Sequence, residues 1–205
     1  LIAKGSNSIT FKVKGKKTER NFAAKITTTP IDKQKSNDII RFSREVNIIS
    51  QINHPSFLKL IGYSPIDFKQ RQNPVIIFEL TKNGSLYHVL EKVRKHKKIP
   101  QWDETQKLIN IYGIAAGMSF LHSQEILHRN LTTKSIFLDD YLFPKIGNFG
   151  FITKLQTDAS MSFTSITGIV GNPAYSSPEL LQNDEYSKAS DVYAFAMILY
   201  EIITD

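Results

Sequence analysis

The final stretch of the chain, SDVYAFAMILYEIITD from Ser190 to Asp205, constrains the fold more than any other segment. It reads as a helix with Ser190 as its cap and an apolar body on nearly every side. A helix of that kind is stable only in the middle of a domain, so other elements must surround it. Because it stands at the end of the sequence, the natural protein is expected to continue past Asp205.

The rest of the chain supplies two kinds of element. Within the first eighty residues the short apolar runs FAAKI and PVIIFEL suit buried strands. Between them, DIIRFSREVNIISQI sets Phe42, Val46 and Ile49 at helical spacing. KNGS, Lys82 to Ser85, is a turn signal, after which the chain becomes mainly helical. Asp103 is placed to cap a helix with the stripe Leu108, Ile111, Ala115, Met118 and His122. SIFL and FPKI read as two short strands joined at an Asp139–Asp140 turn, and a Ser/Thr-rich segment then runs to PAYSSPELL. The expected class is α+β: a small sheet with one helix, followed by a larger helical part.

Composition excludes several functions. The chain has no Cys, which rules out disulfides, cysteine zinc sites and thiol nucleophiles and fits a reducing, cytoplasmic setting. No apolar run approaches the roughly 18 to 20 residues that span a bilayer, and the N-terminus has no signal-peptide pattern. The net charge of +7 is concentrated in KGKKTER (Lys14 to Arg20) and KVRKHKK (Lys92 to Lys98). Neither run is interleaved with aromatics for base stacking, so both read as solvated connections and no nucleic-acid partner is expected.

Taken in order, the pieces resemble the protein-kinase fold over essentially the whole chain. KGSNS resembles the phosphate-covering loop, AAK with Lys25 the strand lysine, and Glu45 the ion-pair partner on the first helix. FELTKNGSL resembles the hinge, HRN the catalytic loop, NFG the metal-binding triplet, and SPE (Ser177 to Glu179) the end of the activation segment. In DVYAFAMILYEI, Asp191 falls where the family braces the catalytic-loop backbone. The wording of GNPAYSSPELL and the last helix is closest to tyrosine-kinase-like serine/threonine kinases. The resemblance implies a bilobal fold that ends before the last helices of the larger lobe. Residues 1–81 would form the β-rich lobe and hinge, and 82–205 the helical lobe. It also implies that Glu179 is semi-buried and normally pairs with an Arg beyond Asp205.

The same resemblance shows where chemistry has been erased. The general-base position is Asn130, whose amide cannot take a proton; losing such a base costs about 10² to 10⁴ in rate. Thr132 stands where a Lys would steady the γ-phosphate, and Asn172 where a Thr would contact both. The metal positions are Ser135 and Asn148, both neutral, whereas Mg²⁺ is held through carboxylates. Asp139 and Asp140 lie on a strand-connecting turn and are not expected to replace them. The phosphate loop keeps Gly5 but has Ala3 and Ser8 at its other glycine positions. The implied nucleotide slot comprises Ile2, Gly5, Thr10, Ala23, Lys25, Phe78, Glu79, Thr81 and Phe137. Lys25, Glu45, His128, Phe149 and Ile49 remain as the family's structural skeleton.

The reading is therefore a kinase-like domain without phosphotransfer that works by binding, as a scaffold or as an allosteric partner of an active kinase. ATP remains a candidate ligand; Mg²⁺ is not expected to be held as the family holds it. The alternative is a divergent serine/threonine kinase of weak activity, kept open by Ser160, Ser162, Thr164, Ser165 and Thr167 in a segment of the kind that phosphorylation regulates.

Overall fold

The β-branched and aromatic runs of the N-terminal part pair as an antiparallel sheet with strand order β1-β2-β3-β5-β4. The strands are β1 (Ala3–Lys4), β2 (Ser8–Lys14), β3 (Asn21–Thr27), β4 (Leu60–Ser64) and β5 (Val75–Glu79). The two apolar runs expected as strands lie in β3 and β5, and they bury Ala24, Val75, Ile76 and Phe78. Helix α1 (Ser36–Gln51) packs near β4 and buries Val46 and Ile49, while Phe42 sits edge-on to Tyr63 at 6.3 Å. The computed structural model describes residues 1–5, 7–30, 36–150, 152–155, 172–183 and 186–204. The five Ser/Thr positions of the implied activation segment lie outside them.

The chain divides into two units, one of residues 1–53 and 58–80, the other of residues 54–57 and 81–205. The short segment His54–Phe57 belongs to the second unit because its backbone is bonded there. Ile146 N–H donates to the Ser56 carbonyl at 2.6 Å, and Lys145 Nζ donates to the Pro55 carbonyl at 2.7 Å.

In the second unit Gly84 turns the chain with φ 71°, and α2 (Leu86–Arg94) follows. Helix α3 (Glu104–Ser123) starts where expected, its Gln106 N–H donating to the Asp103 carboxylate at 2.8 Å. Its apolar stripe is not the one that spacing suggests. Met118 is buried, but Leu108 is 66% exposed, and Ile111, Ala115 and His122 are half-buried. The buried face instead carries Gln106, Asn110, Ile114, Gly117, Met118 and Leu121. Small and amide residues win there because a strand comes unusually close. A β-carbon on Gly117 would lie 2.7 Å from Ile146 Cδ1, and one on Gly113 2.6 Å from Pro144 Cγ. Gln106 Nε2 and Asn110 Nδ2 both donate to the Leu142 carbonyl, at 2.8 and 3.0 Å, and so hold Leu142 in the left-handed region at φ 62°.

The short strands β6 (Ile126–Leu127) and β9 (Thr153–Lys154) pair with each other, as do β7 (Ile136–Leu138) and β8 (Pro144–Ile146). A 3-10 turn (Pro173–Tyr175) and α4 (Pro178–Asn183) precede α5 (Lys188–Ile203). The cap of α5 is Ser187, not Ser190. Ser190 is its partner three residues on, and the two close a reciprocal capping box. Helix α5 buries Ser190, Asp191, Ala194, Ile198 and Ile202, and leaves Val192, Tyr193, Tyr200 and Ile203 exposed. Glu179 is exposed rather than semi-buried, so water reaches its charge.

The close approach at Gly117 yields a direct test. Gly117→Ala should cost about 1–3 kcal/mol by overpacking against Ile146 and Ser56. Gly62→Ala, where a β-carbon meets nothing within 4 Å, should change the urea midpoint little. Equal midpoints for the two variants would refute the close-packing account.

Candidate functional site

Asp191, in the first turn of α5, is 1% exposed and organises the loop that follows β6. Its carboxylate accepts the His128 N–H at 2.9 Å and the Arg129 N–H at 3.0 Å, with His122 Nε2 at 3.0 Å. A buried carboxylate is tolerated when donors meet its lone pairs, and here the backbone supplies two of them. The bonds hold Arg129 at φ 64°, a conformation its β-carbon resists.

His128 is fully buried, and its tautomer follows from its neighbours. Nε2 lies 2.9 Å from the Gly147 carbonyl, which can only accept, so Nε2 carries the proton. Nδ1 then accepts the Asn130 N–H at 3.4 Å. Burial pushes the His128 pKa down, against upward pulls from Asp191 and the Gly147 carbonyl. A second proton on Nδ1 would face the Asn130 N–H. Phe149 packs edge-on to His128 at 6.1 Å and stacks on Phe57 at 6.1 Å.

The loop then presents neutral groups. Asn130 is half-buried. Thr132 and Ser135 are buried and satisfy each other: Ser135 Oγ accepts the Thr132 N–H at 2.9 Å and donates to the Thr132 carbonyl at 2.8 Å. Asn148 is half-buried at φ 62°, which Asn tolerates better than most residues. A small cavity brings together Asn130, Thr132 and Asn172 with Arg129, Tyr175 and Tyr186. Asn172 Oδ1 accepts the Ala174 N–H at 3.1 Å, so its side chain caps the 3-10 turn. Among the described residues of that lining Arg129 carries the single formal charge and there is no carboxylate. Asp139 is occupied with the Tyr141 and Phe143 N–H groups at 2.9 Å each, and Asp140 pairs with Lys82.

Two tyrosines that the sequence did not single out hold the rim. Tyr186 Oη donates to the Arg129 carbonyl at 2.7 Å, and the Arg129 guanidinium lies 5.1 Å over its ring. Tyr175 donates to Glu201 on α5, and Thr133 Oγ1 lies 3.0 Å from the same hydroxyl. Arg94, at the end of α2, reaches Glu201 at 3.2 Å. Burial, reinforced by the bond to Glu201, raises the Tyr175 pKa to about 12. Burial likewise takes Tyr186 to about 12, with the negative Asp191 adding to it. Both stay protonated donors at neutral pH. Only their pairing in space, Tyr175 with Glu201 and Tyr186 with Arg129, identifies them, and no local motif announces it.

In the first unit the strand register sets the implied nucleotide residues on one face. Thr10 pairs with Lys25, Lys12 with Ala23, and Ala23 with Phe78, so Thr10, Ala23, Lys25 and Phe78 share a side. Burial pushes the Lys25 pKa down and Glu45 pulls it back up. Glu79 falls on the opposite face by alternation, and its carboxylate accepts the Lys59 N–H at 2.9 Å. Ile2 is 48% exposed and donates its N–H to the Thr10 carbonyl at 2.8 Å. A β-carbon on Gly5 would make only ordinary contacts, so this turn does not require glycine. Thr81 and Phe137 belong to the second unit, both half-buried.

The sequence profile of the protein tyrosine and serine/threonine kinase family matches residues 2–205. The chain belongs to the protein kinase family. Among similar kinases, a cysteine-rich receptor-like protein kinase of Arabidopsis thaliana is 34% identical over 167 residues, 80% of this chain and 26% of its own length. A probable serine/threonine-protein kinase of Dictyostelium discoideum is 29% identical over 194 residues, 94% of this chain and 14% of the relative. The serine/threonine-protein kinase polo of Drosophila melanogaster is 28% identical over 203 residues, 99% and 33%. The chain thus spans a third or less of these relatives. Among its described residues, no helix of this kinase domain is long and apolar enough to cross a membrane.

Two outcomes follow for the kinase domain. Asp191→Asn should cost about 3–5 kcal/mol, because it leaves the loop N–H groups facing a donor; a urea midpoint within error of the parent would overturn this role. His128 is neutral when folded and its pKa is lowered, so its contribution is complete above the unfolded value near 6.5. That contribution falls away as pH drops through 6.5 toward the folded value. Denaturation midpoints between about pH 7.5 and 5 should decline, and His128→Asn should flatten that decline.

Proposed function

We propose that this kinase domain has lost phosphotransfer and acts by binding, as a scaffold or an allosteric partner of another kinase in the cytoplasm. The tyrosine-kinase-like group of serine/threonine kinases is the proposed branch. The observation that carries the reading is the state of the catalytic loop. Its backbone is braced by Asp191, yet position 130 offers an amide and Ser135 Oγ is buried and consumed within its own turn.

Phosphoryl transfer needs a group to orient and accept the hydroxyl proton, together with metal ions that neutralise developing charge. An amide has no useful basicity, and Mg²⁺ is held through carboxylates and phosphate oxygens. The residues at 135 and 148 do not fit that metal. Lys25 with Glu45, and the face shared by Thr10, Ala23 and Phe78, support ATP as a ligand without turnover. The relatives named as kinases favour the second reading, a weakly active serine/threonine kinase.

Phosphotransfer to a generic protein substrate should stay at the level of a Lys25→Met control. ATP should raise the apparent melting temperature in proportion to RT ln(1 + [L]/Kd), and to the same extent with and without Mg²⁺. A rise that requires Mg²⁺, or turnover above the control, would sink the inactive reading and promote the second one.

A further inference from the structure

We propose that the cationic knuckle at the end of α2 is a docking surface for an acidic polypeptide segment, separate from the catalytic-loop site. Glu91 to Lys98 reads EKVRKHKK, five permanent cations against one carboxylate. The local fold displays them rigidly. The His96 N–H bonds the Val93 carbonyl at 2.7 Å and the Lys97 N–H bonds the Lys92 carbonyl at 2.9 Å, which is the paired closure of a Schellman helix end.

Helix stability alone does not account for this composition. Cations in a last turn complement the helix dipole, but that effect ends with the turn. Two of the five are already neutralised, Lys95 by Glu91 at 2.7 Å and Arg94 by Glu201 at 3.2 Å. Lys92, Lys97 and Lys98 are exposed and form no ion pair among the described residues. Moreover, the left-handed position of the cap, where glycine is free of steric cost, is His96 at φ 56°. An imidazole therefore occupies a place that folding would assign to glycine, beside three lysines that form no ion pair among the described residues.

The chemistry of the patch selects the partner. Leu86, Val89 and Leu90 of α2 are buried, and Val93 and Ile99 are half-buried. Among the described residues 91–98 no exposed apolar side chain is present to enter a bilayer, and no Phe, Tyr or Trp to stack on a base. Point charges on a stiff backbone suit discrete carboxylates or phosphorylated side chains along an extended chain. The other basic run differs: it occupies the β2–β3 hairpin, where Lys14 is paired with Glu19 at 3.0 Å. It serves as the internal control.

The test measures fluorescence anisotropy of a labelled oligo-glutamate peptide with the full chain. The triple variant Lys92→Glu, Lys97→Glu, Lys98→Glu should weaken binding by roughly tenfold or more, and parent binding should fall between about 50 and 300 mM salt. The hairpin variant Lys16→Glu, Lys17→Glu, Arg20→Glu should bind as the parent does. Lys92→Gln, Lys97→Gln, Lys98→Gln removes the charge without adding carboxylates and should show the same loss in smaller measure, with its melting temperature as a folding check. Equal weakening by the hairpin variant would reduce the effect to bulk charge and overturn the proposal. So would unchanged binding in both knuckle variants. Retention on phosphatidylcholine vesicles containing about one-third phosphatidylserine, or on duplex DNA, without peptide binding would replace the partner class.

Discussion

The buried carboxylate of Asp191 is the interaction on which the second unit depends. It lies at the start of α5 and bonds the backbone of the loop after β6. It thereby converts a segment with a left-handed Arg into a fixed platform. Burying a charge is unfavourable in isolation, and the cost is offset only because two backbone N–H groups and an imidazole converge on it. His128 extends the platform by bonding the Gly147 carbonyl, which links it to the Asn148–Phe149 segment. Tyr186 seals the other side through the Arg129 carbonyl.

The platform is intact, and the residues it carries at positions 130, 135 and 148 are neutral. The braces are backbone and buried-side-chain interactions, whose loss would unfold the loop. The neutral residues at positions 135, 148 and 172 are each accommodated locally. Ser135 closes a turn with Thr132, Asn172 caps the 3-10 turn, and Asn148 tolerates a left-handed backbone. Residues so accommodated cost the fold little.

Much of this was legible in the chain. FAAKI, PVIIFEL, SIFL and FPKI mark strands because short β-branched runs bounded by turn residues have few alternatives. Asp103 marks its helix because a carboxylate one residue before the helix satisfies an orphan N–H. Landmark order pointed to positions 130, 132, 135 and 148 as the candidate site. The α3 stripe was misread because periodicity assumes that large apolar residues face the core. Here β8 approaches too closely for them, and Gly113, Gly117, Gln106 and Asn110 take the contact. The cap of α5 shifted from Ser190 to Ser187 because two serines three residues apart each satisfy the pattern, and only the bonded geometry ranks them. Glu179 escaped the predicted burial for a similar reason, since exposure depends on neighbours that its own sequence does not name.

By itself the sequence determined the α+β class, the kinase membership and the neutral side chains at positions 130 and 148, because these rest on residue identity and order. Tertiary structure alone decided that Ser135 spends its hydroxyl inside a turn, that Glu201 gathers Tyr175 and Arg94, and that Lys92, Lys97 and Lys98 stand exposed at a closed helix end, without an ion pair among the described residues. The physical reason is one of range. Identity dictates which protons and charges a residue can offer, whereas satisfaction of those groups depends on partners scores of residues away, which only the folded chain brings within hydrogen-bond reach.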